Sequence, residues 1–285
     1  MGFAETVLLG AIAGLTIYIG LPIGRFEAVD ARVRCALAMF SVGILAFIFM
    51  DVTNHAESIV SSALHSYKAG HTAFGHVLGL FLLLAAGFTL GTVGIAAVER
   101  PLRRRASKLP PPIAGGSQEV TLTAAELSGH TDEARRRALQ TGMTIAFAIG
   151  LHNFAEGLAI GVAAKTGAIG LATVLIIGFG LHNATEGFGI VGPLGGVRPS
   201  WAWLGLAGLV GGGPTFLGTI VGYQVHSNAL ELCFYALAGG AILYVVGEIW
   251  TAVRRYGHRN LGLYMLALGF LAGVATDLVV SYGGA

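Results

Sequence analysis

Eight stretches of about 20 mostly apolar residues constrain this chain of 285 residues more than any other feature. A run of that length is what an α-helix needs to cross the hydrocarbon core of a bilayer. Charged residues make up only 11% of the sequence, against about 25% in soluble domains. The predicted spans are residues 4–24, 36–60, 75–98, 138–163, 168–191, 201–224, 230–252 and 260–282. We therefore predict an all-α polytopic membrane protein with eight transmembrane helices, surrounded by a lipid bilayer.

The basic residues of the connecting segments predict how this bundle is oriented. Of the 17 Lys and Arg residues, 15 fall in the segments after the first, third, fifth and seventh spans. Only Lys68 and Lys165 fall on the opposite face. Because basic residues accumulate on the cytoplasmic side of membrane proteins, we expect both termini to lie outside.

One long polar segment divides the chain into three parts. Residues 99–137 contain two Arg triplets and the run Pro110-Pro111-Pro112, which favour a flexible basic cytoplasmic loop. Within it, Thr123 to Glu126 has the pattern that caps a short helix. The predicted parts are therefore 1–98 with helices one to three, the loop 99–137, and 138–285 with helices four to eight.

A short motif occurs twice inside these spans, thirty residues apart. The first copy is Gly150-Leu151-His152-Asn153-Phe154-Ala155-Glu156-Gly157, and the second is Gly180-Leu181-His182-Asn183-Ala184-Thr185-Glu186-Gly187. A carboxylate at the centre of a span is costly, by about 2.5–3.5 kcal/mol on insertion scales, and so marks a candidate functional site.

The spacing within each copy predicts a metal site at the middle of the membrane. Residues four apart share a helix face, so His152 and Glu156 project together, as do His182 and Glu186. The two spans are antiparallel, which brings both copies to one depth, with Asn153 and Asn183 beside them. Imidazole and carboxylate ligands suit Zn²⁺, Fe²⁺, Mn²⁺ or Co²⁺, and the absence of thiolates disfavours Cu(I). A structural hydrogen-bonded His–Glu pair is the alternative, and the repetition argues against it.

Other polar residues in the spans give weaker indications. Asp51, in the second span, either lines the cation path or supports helix packing. Asp277, near the outer end of the eighth span, is expected to be capped or solvated. Gly211-Gly212-Gly213-Pro214 is expected to break or kink the sixth span, since proline lacks a backbone donor.

The first motif resembles the fourth-span signature His-Asn-x-Pro-Glu-Gly of the ZIP (Zrt/Irt-like) divalent-metal transporters. That family carries a His-x-x-x-Glu element in its fifth span, as His182 and Glu186 do here. Residues 238–245, Ala-Gly-Gly-Ala-Ile-Leu-Tyr-Val, resemble the family's seventh span. The resemblance implies a ZIP-like bundle that moves metal inward. It also implies His152, Asn153, Glu156, His182 and Glu186 as ligands, with Asn183 at a variable ligand position.

The chain departs from the family pattern at several positions. Ala155 replaces the motif proline, and Thr185 stands where the fifth span often has proline. The sixth span has no carboxylate that could complete a second metal position. We therefore expect one dominant intramembrane metal.

These observations predict a transporter that moves a divalent cation from outside to the cytoplasm through a site between the fourth and fifth spans. Zinc is the first candidate, with iron, manganese, cobalt and cadmium open. The metal is then substrate rather than prosthetic group, and we expect no nucleic-acid partner, while a homodimer stays open. The expected location is the bacterial inner membrane. One alternative is an intramembrane zinc-dependent hydrolase, in which the same ligands activate water. A proton or monovalent-cation pathway is another, but it leaves both histidines unexplained.

Overall fold

The computed structural model describes residues 1–26, 30–106, 124–167, 169–224 and 227–284, and these ranges contain helices and no β-strand. Ten α-helices follow one another along the chain within these ranges. They are α1 (Phe3–Leu15), α2 (Ile17–Gly20), α3 (Ala31–Lys68), α4 (Phe74–Thr89), α5 (Ile95–Ala106), α6 (Ala124–Lys165), α7 (Ile169–Val191), α8 (Trp201–Gln224), α9 (Asn228–Val253) and α10 (Arg259–Gly284). A 3₁₀ turn, Leu21–Arg25, extends α2, and a π-helical turn, Leu90–Gly94, joins α4 to α5.

Seven helical segments of the described residues are long and apolar enough to cross a membrane. They are Phe3–Arg25, Ala31–Lys68, Phe74–Pro101, Asp132–Lys165, Trp201–Gln224, Asn228–Val253 and Arg259–Val279. Each coincides with one predicted span. The remaining predicted span, 168–191, corresponds to the 23-residue helix α7, which is not among the seven. The all-helical, multi-pass architecture is thus confirmed, and the count of eight stays a prediction.

Helix replaces much of the polar segment that was predicted to be a loop. Residues 99–106 belong to α5, and residues 124–137 belong to α6, which is 42 residues long. Charged residues four apart favour this extension, since the Arg137 guanidinium donates to the Glu133 carboxylate along the helix. The rest of the predicted loop, 107–123, lies outside the described residues.

α6 and α8 approach each other closely at the level of the first motif. Gly157 of α6 presses on the Thr215 backbone, since a Cβ on Gly157 would lie 2.0 Å from that carbonyl oxygen. Gly218 of α8 presses on Phe154 in the same way, again at 2.0 Å. With Gly161 and Gly222, each helix presents two glycines four residues apart, a spacing that lets membrane helices approach closely.

The sixth predicted span does not break at its proline. α8 runs continuously from Trp201 to Gln224 through Pro214, so of the two expected outcomes, a break or a kink, the break does not occur. The reason lies in the neighbouring helix, because Gly150 of α6 packs against the Val210 carbonyl that Pro214 leaves without an amide donor. The close backbone contact holds the helix across the proline.

Candidate metal site

The first motif places a histidine and a glutamate on the same face of α6. His152 and Glu156 are one turn apart, and His152 Nε2 lies 3.0 Å from Glu156 Oε1. Both side chains are at least 96% buried. The predicted sharing of one face is confirmed at this copy.

The second motif brings Glu186 of α7 to the same pair. Its Oε1 atom lies 3.7 Å from His152 Nε2. Asn153 supports it from α6, since its Nδ2 donates to Glu186 Oε2 over 3.1 Å. The same nitrogen donates to the Gly211 carbonyl of α8 over 2.9 Å. Three helices therefore fix one imidazole, two carboxylates and one amide at one depth.

The candidate ligand atoms of this cluster lack hydrogen-bond partners among the described residues. Neither the short His152–Glu156 contact nor the His152–Glu186 contact has hydrogen-bond geometry. The buried atoms in question are both ring nitrogens of His152 and of His182, both carboxylate oxygens of Glu156, Oε1 of Glu186, and Oδ1 of Asn153 and of Asn183. Leaving such a group unpaired costs about 1–3 kcal/mol, and native proteins seldom do so without a functional reason. A cation accepts electron pairs from these nitrogen and oxygen atoms and would satisfy them together.

The cluster is not a closed cage as it stands. Among the described residues, no three His, Cys, Asp or Glu side chains are spaced to hold one metal ion. Zinc bonds to nitrogen and oxygen are about 2.0–2.2 Å long, so a zinc ion held by this cluster would require the Glu156 and Glu186 carboxylates to move inward. A site of that kind binds and releases more readily than a rigid tetrahedral cage.

The other two residues of the second motif take different positions. His182 is 7% exposed and lies on the wall of a cavity that it shares with His152 and Glu156. Asn183 is fully buried and donates from Nδ2 to the Ala13 carbonyl of α1 over 3.1 Å. The Asn183 amide nitrogen therefore faces α1, and only its Oδ1 atom remains for a ligand.

The cavity extends from the cluster toward one end of the bundle. Its volume is about 440 Å³, and its polar lining includes Asp51, His55, His152, Glu156, His182, Glu231, Tyr235 and Asp277. Asp51 Oδ1 lies 3.5 Å from His55 Nδ1, and both side chains are more than one-third exposed. Asp51 therefore lines the same cavity as the cluster but lies nearer to its mouth.

Two acidic residues of this lining were missed or given another role from the sequence. Asp277 was expected to be capped or solvated, and Glu231 was not singled out. They belong to α10 and α9, which pack beside α3 only in the folded bundle. The one indication of this role in the sequence is that both residues, like Asp51, lie in the predicted outer half of a span.

Comparison with known proteins extends the resemblance from the motifs to the chain. No protein-family model matches. A protein named zinc transporter ZupT from Clostridium perfringens is 27% identical over 281 residues, which cover 93% of this chain and 92% of that protein. Two proteins of the same name are similar: one from Corynebacterium glutamicum is 26% identical over 92% of this chain and 94% of its own length. The other, from Corynebacterium aurimucosum, is 25% identical over 98% of this chain and 96% of its own length.

Proposed function

We propose that this chain transports a divalent metal cation, with Zn²⁺ as the first candidate, across a bacterial inner membrane into the cytoplasm. The chain resembles the ZIP family along more than nine-tenths of its length. One observation carries the proposal: buried imidazole and carboxylate atoms of α6 and α7 converge without hydrogen-bond partners among the described residues. Three relatives that align along nearly the whole chain are named as zinc transporters, which supports zinc as the metal.

The chemistry of the cluster suits a dication in transit. Glu156 and Glu186 together neutralise two positive charges, so the occupied site adds no net charge to a medium of low dielectric constant. His152, His182 and the amide oxygens of Asn153 and Asn183 are neutral donors that complete the coordination. Because α8 contributes a backbone carbonyl and hydroxyls but no carboxylate at this depth, we expect one metal per chain.

The proposed topology has eight membrane-spanning helices, with α6 and α7 as the fourth and fifth and both termini outside. Support comes from the 23-residue length of α7 and from the asymmetry of the Lys and Arg residues. Large apolar side chains such as Leu8, Ile19 and Phe81 are exposed on the outer surface of the bundle, as contact with lipid requires. Homodimeric assembly is part of the proposal.

In this orientation the cavity opens toward the outside. Ala163 and Thr166, at the outer end of α6, line it together with the cluster. On the cytoplasmic side of the cluster, Ile145, Ile149 and Ile190 are at most 1% exposed and pack in the main apolar core. The proposed state is therefore open to the outside and closed to the cytoplasm, and inward release requires these apolar contacts to separate.

The acidic residues at the cavity mouth give the route a capture step. Asp51, Glu231 and Asp277 line the outer part of the cavity, where water still screens their charges. They raise the local concentration of cations, which then lose water as they pass to the buried cluster.

The alternative of an intramembrane zinc hydrolase has no support from the relatives, all of which are named as transporters. A pathway for protons or monovalent cations gives no role to the buried nitrogens of His152 and His182.

Zinc uptake into liposomes that contain the purified protein tests the proposal. Glu156→Gln and Glu186→Gln keep the shape of each side chain but remove its charge, and each should abolish saturable uptake. Glu57→Gln, at an exposed position of α3 outside the cavity lining, is the matched control and should transport normally. Saturable zinc uptake that survives in the first two variants would rule out the assignment.

A further inference from the structure

A second cavity lies at the opposite end of the bundle from the acidic mouth, where α9 turns into α10. It has a volume of about 490 Å³. Its lining combines an apolar wall from α3, α9 and α10 with a rim from the α9–α10 turn: Cys35, Met39, Trp250, Val253, Arg254, Gly257, His258, Arg259, Gly262 and Leu263. None of these described lining residues is acidic.

The rim concentrates positive charge. Arg254 and Arg259 are exposed guanidinium groups, and His258 lies between them along the chain. α10 begins at Arg259, so the first-turn amides, which have no acceptor within the helix itself, and the positive end of the helix dipole lie at the same rim. A rim of this kind favours an anionic group such as a phosphate.

The turn that carries the rim is held in place at both sides. Gly257 adopts a left-handed conformation with φ of 72°, which reverses the chain between the two helices. The Tyr256 hydroxyl donates to the Gly192 carbonyl over 2.8 Å, and Cys35 Sγ lies 3.8 Å from the His258 carbonyl oxygen. These contacts hold the backbone of the α9–α10 turn that carries the basic side chains of the rim.

The wall of the cavity is apolar and open at its side. Met39 and Cys35 form the buried floor, and Gly262 packs closely against it, since a Cβ there would lie 3.3 Å from Met39 Cγ and 3.6 Å from Cys35 Sγ. Leu263 and Trp250 are 40% and 37% exposed at its edge. Tryptophan is enriched where a membrane protein crosses the headgroup region. The ligand that fits is therefore amphiphilic, with an apolar chain beside an anionic head.

We propose that this cavity binds an anionic phospholipid, with its phosphate between Arg254, His258 and Arg259 and an acyl chain along Gly262 and Leu263. The inference rests on the proposed function only for the orientation, which places this end in the cytoplasmic leaflet. A free phosphate shares the chemistry of the headgroup, but it leaves the apolar wall unused.

Native mass spectrometry of the full-length protein in detergent tests the proposal with three probes: phosphatidylglycerol, phosphatidylcholine with the same acyl chains, and inorganic phosphate. We expect the wild-type protein to retain phosphatidylglycerol in preference to phosphatidylcholine, and millimolar phosphate not to displace it. Each basic residue near a membrane surface contributes about 1 kcal/mol, or about a fivefold change in affinity. The Arg254→Gln/Arg259→Gln double variant should therefore bind phosphatidylglycerol about 25-fold more weakly.

Two further variants separate charge from shape. Arg32→Gln removes an exposed charge at the same end of α3 but outside the cavity lining, so lipid retention should not change. Gly262→Leu keeps every charge and fills the groove beside Met39, and should reduce retention of both lipids.

Three results would overturn the lipid site: equal retention of phosphatidylglycerol by the double variant, equal retention of both lipids by the wild type, or displacement by inorganic phosphate. Zinc uptake by each variant, measured in parallel, shows that the protein is folded. Lipid binding without zinc uptake in the wild type would refute the proposed function and leave the lipid site standing.

Discussion

Replacing Gly218 of α8 with alanine should separate α8 from α6 and weaken zinc binding at a distance. The new Cβ would lie 2.0 Å from the Phe154 carbonyl oxygen and 2.9 Å from its carbon. Ordinary contact between heavy atoms needs about 3.5 Å, so the two backbones must part by about 1.5 Å. Neither atom belongs to a flexible side chain that could rotate away.

This displacement of α8 would also affect the candidate metal site, because α8 is one continuous helix. If α8 moves as one rod, the Asn153–Gly211 hydrogen bond, now 2.9 Å, stretches beyond hydrogen-bond range. Overpacking costs about 1–3 kcal/mol, and loss of this buried hydrogen bond, which leaves the Gly211 carbonyl without Asn153, adds about 1–3 kcal/mol. The total loss of stability should therefore be about 2–6 kcal/mol.

Gly205→Ala, on the same helix, is the matched control. A Cβ at Gly205 has no atom within 4 Å, so this change should leave stability unchanged or raise it by up to about 1 kcal/mol through helix propensity. Thermal unfolding in detergent compares the two variants, and calorimetric zinc titration should give a Kd about tenfold higher for Gly218→Ala. If Gly218→Ala unfolds at the temperature of Gly205→Ala and keeps its zinc affinity, the close contact of α6 and α8 does not position the site.

Three further outcomes follow from the cavity and the cluster. A membrane-impermeant thiol reagent added outside should modify the cysteine of Ala159→Cys, which lines the outward cavity, and zinc should protect it. The cysteine of Ala146→Cys, buried on the cytoplasmic side, should stay unmodified. Equal labelling of the two variants would contradict the outward-open state. Asp277→Asn should raise the KM for zinc uptake about two- to fivefold at low salt, with little change in the maximal rate. Added salt should remove this increase in KM. The control Glu57→Gln lies outside the cavity lining and should leave the KM unchanged. Equilibrium dialysis should find one zinc bound per chain, and a value near two would mean that a second site exists.

The helices and the one-face arrangement of His152 and Glu156 could be predicted from the sequence because both are local. The hydropathy of about 20 consecutive residues indicates whether a helix lies in lipid, and a spacing of four residues indicates that two side chains share one helix face. Neither property depends on which helices become neighbours. A short helix capped at Thr123 to Glu126 was expected, and α6 begins at Ala124, but its continuation to residue 137 was not expected because Pro, Gly and Arg-rich composition dominates the longer segment.

Features that depend on contact between distant helices could not be predicted. The Gly211 carbonyl that receives Asn153 carries no side-chain signal, and Asp277 reaches the cavity only because α10 packs along α3. The continuity of α8 through Pro214 likewise depends on Gly150 of another helix. Sequence patterns describe each helix alone, whereas these features depend on contacts between pairs of helices.

The two motif asparagines explain how a loosely formed cluster can still have a defined geometry. Each donates from Nδ2 to a backbone carbonyl of a flanking helix: Asn153 to Gly211 of α8, and Asn183 to Ala13 of α1. Because a carbonyl oxygen can only accept, the nitrogen side of each planar amide must face it, and this fixes where the oxygen side points. In both residues that Oδ1 atom is buried and has no hydrogen-bond partner among the described residues.

One asparagine can therefore perform two tasks that other residues would have to divide. Its nitrogen ties a motif helix to its neighbour, and its oxygen stays available as a neutral donor to a cation. Aspartate in its charged form would repel the same carbonyl, and leucine would lose both contacts. The repeated His-Asn-x-x-Glu pattern thus combines the proposed charge-neutralising ligands with the residue that ties their helix to its neighbour.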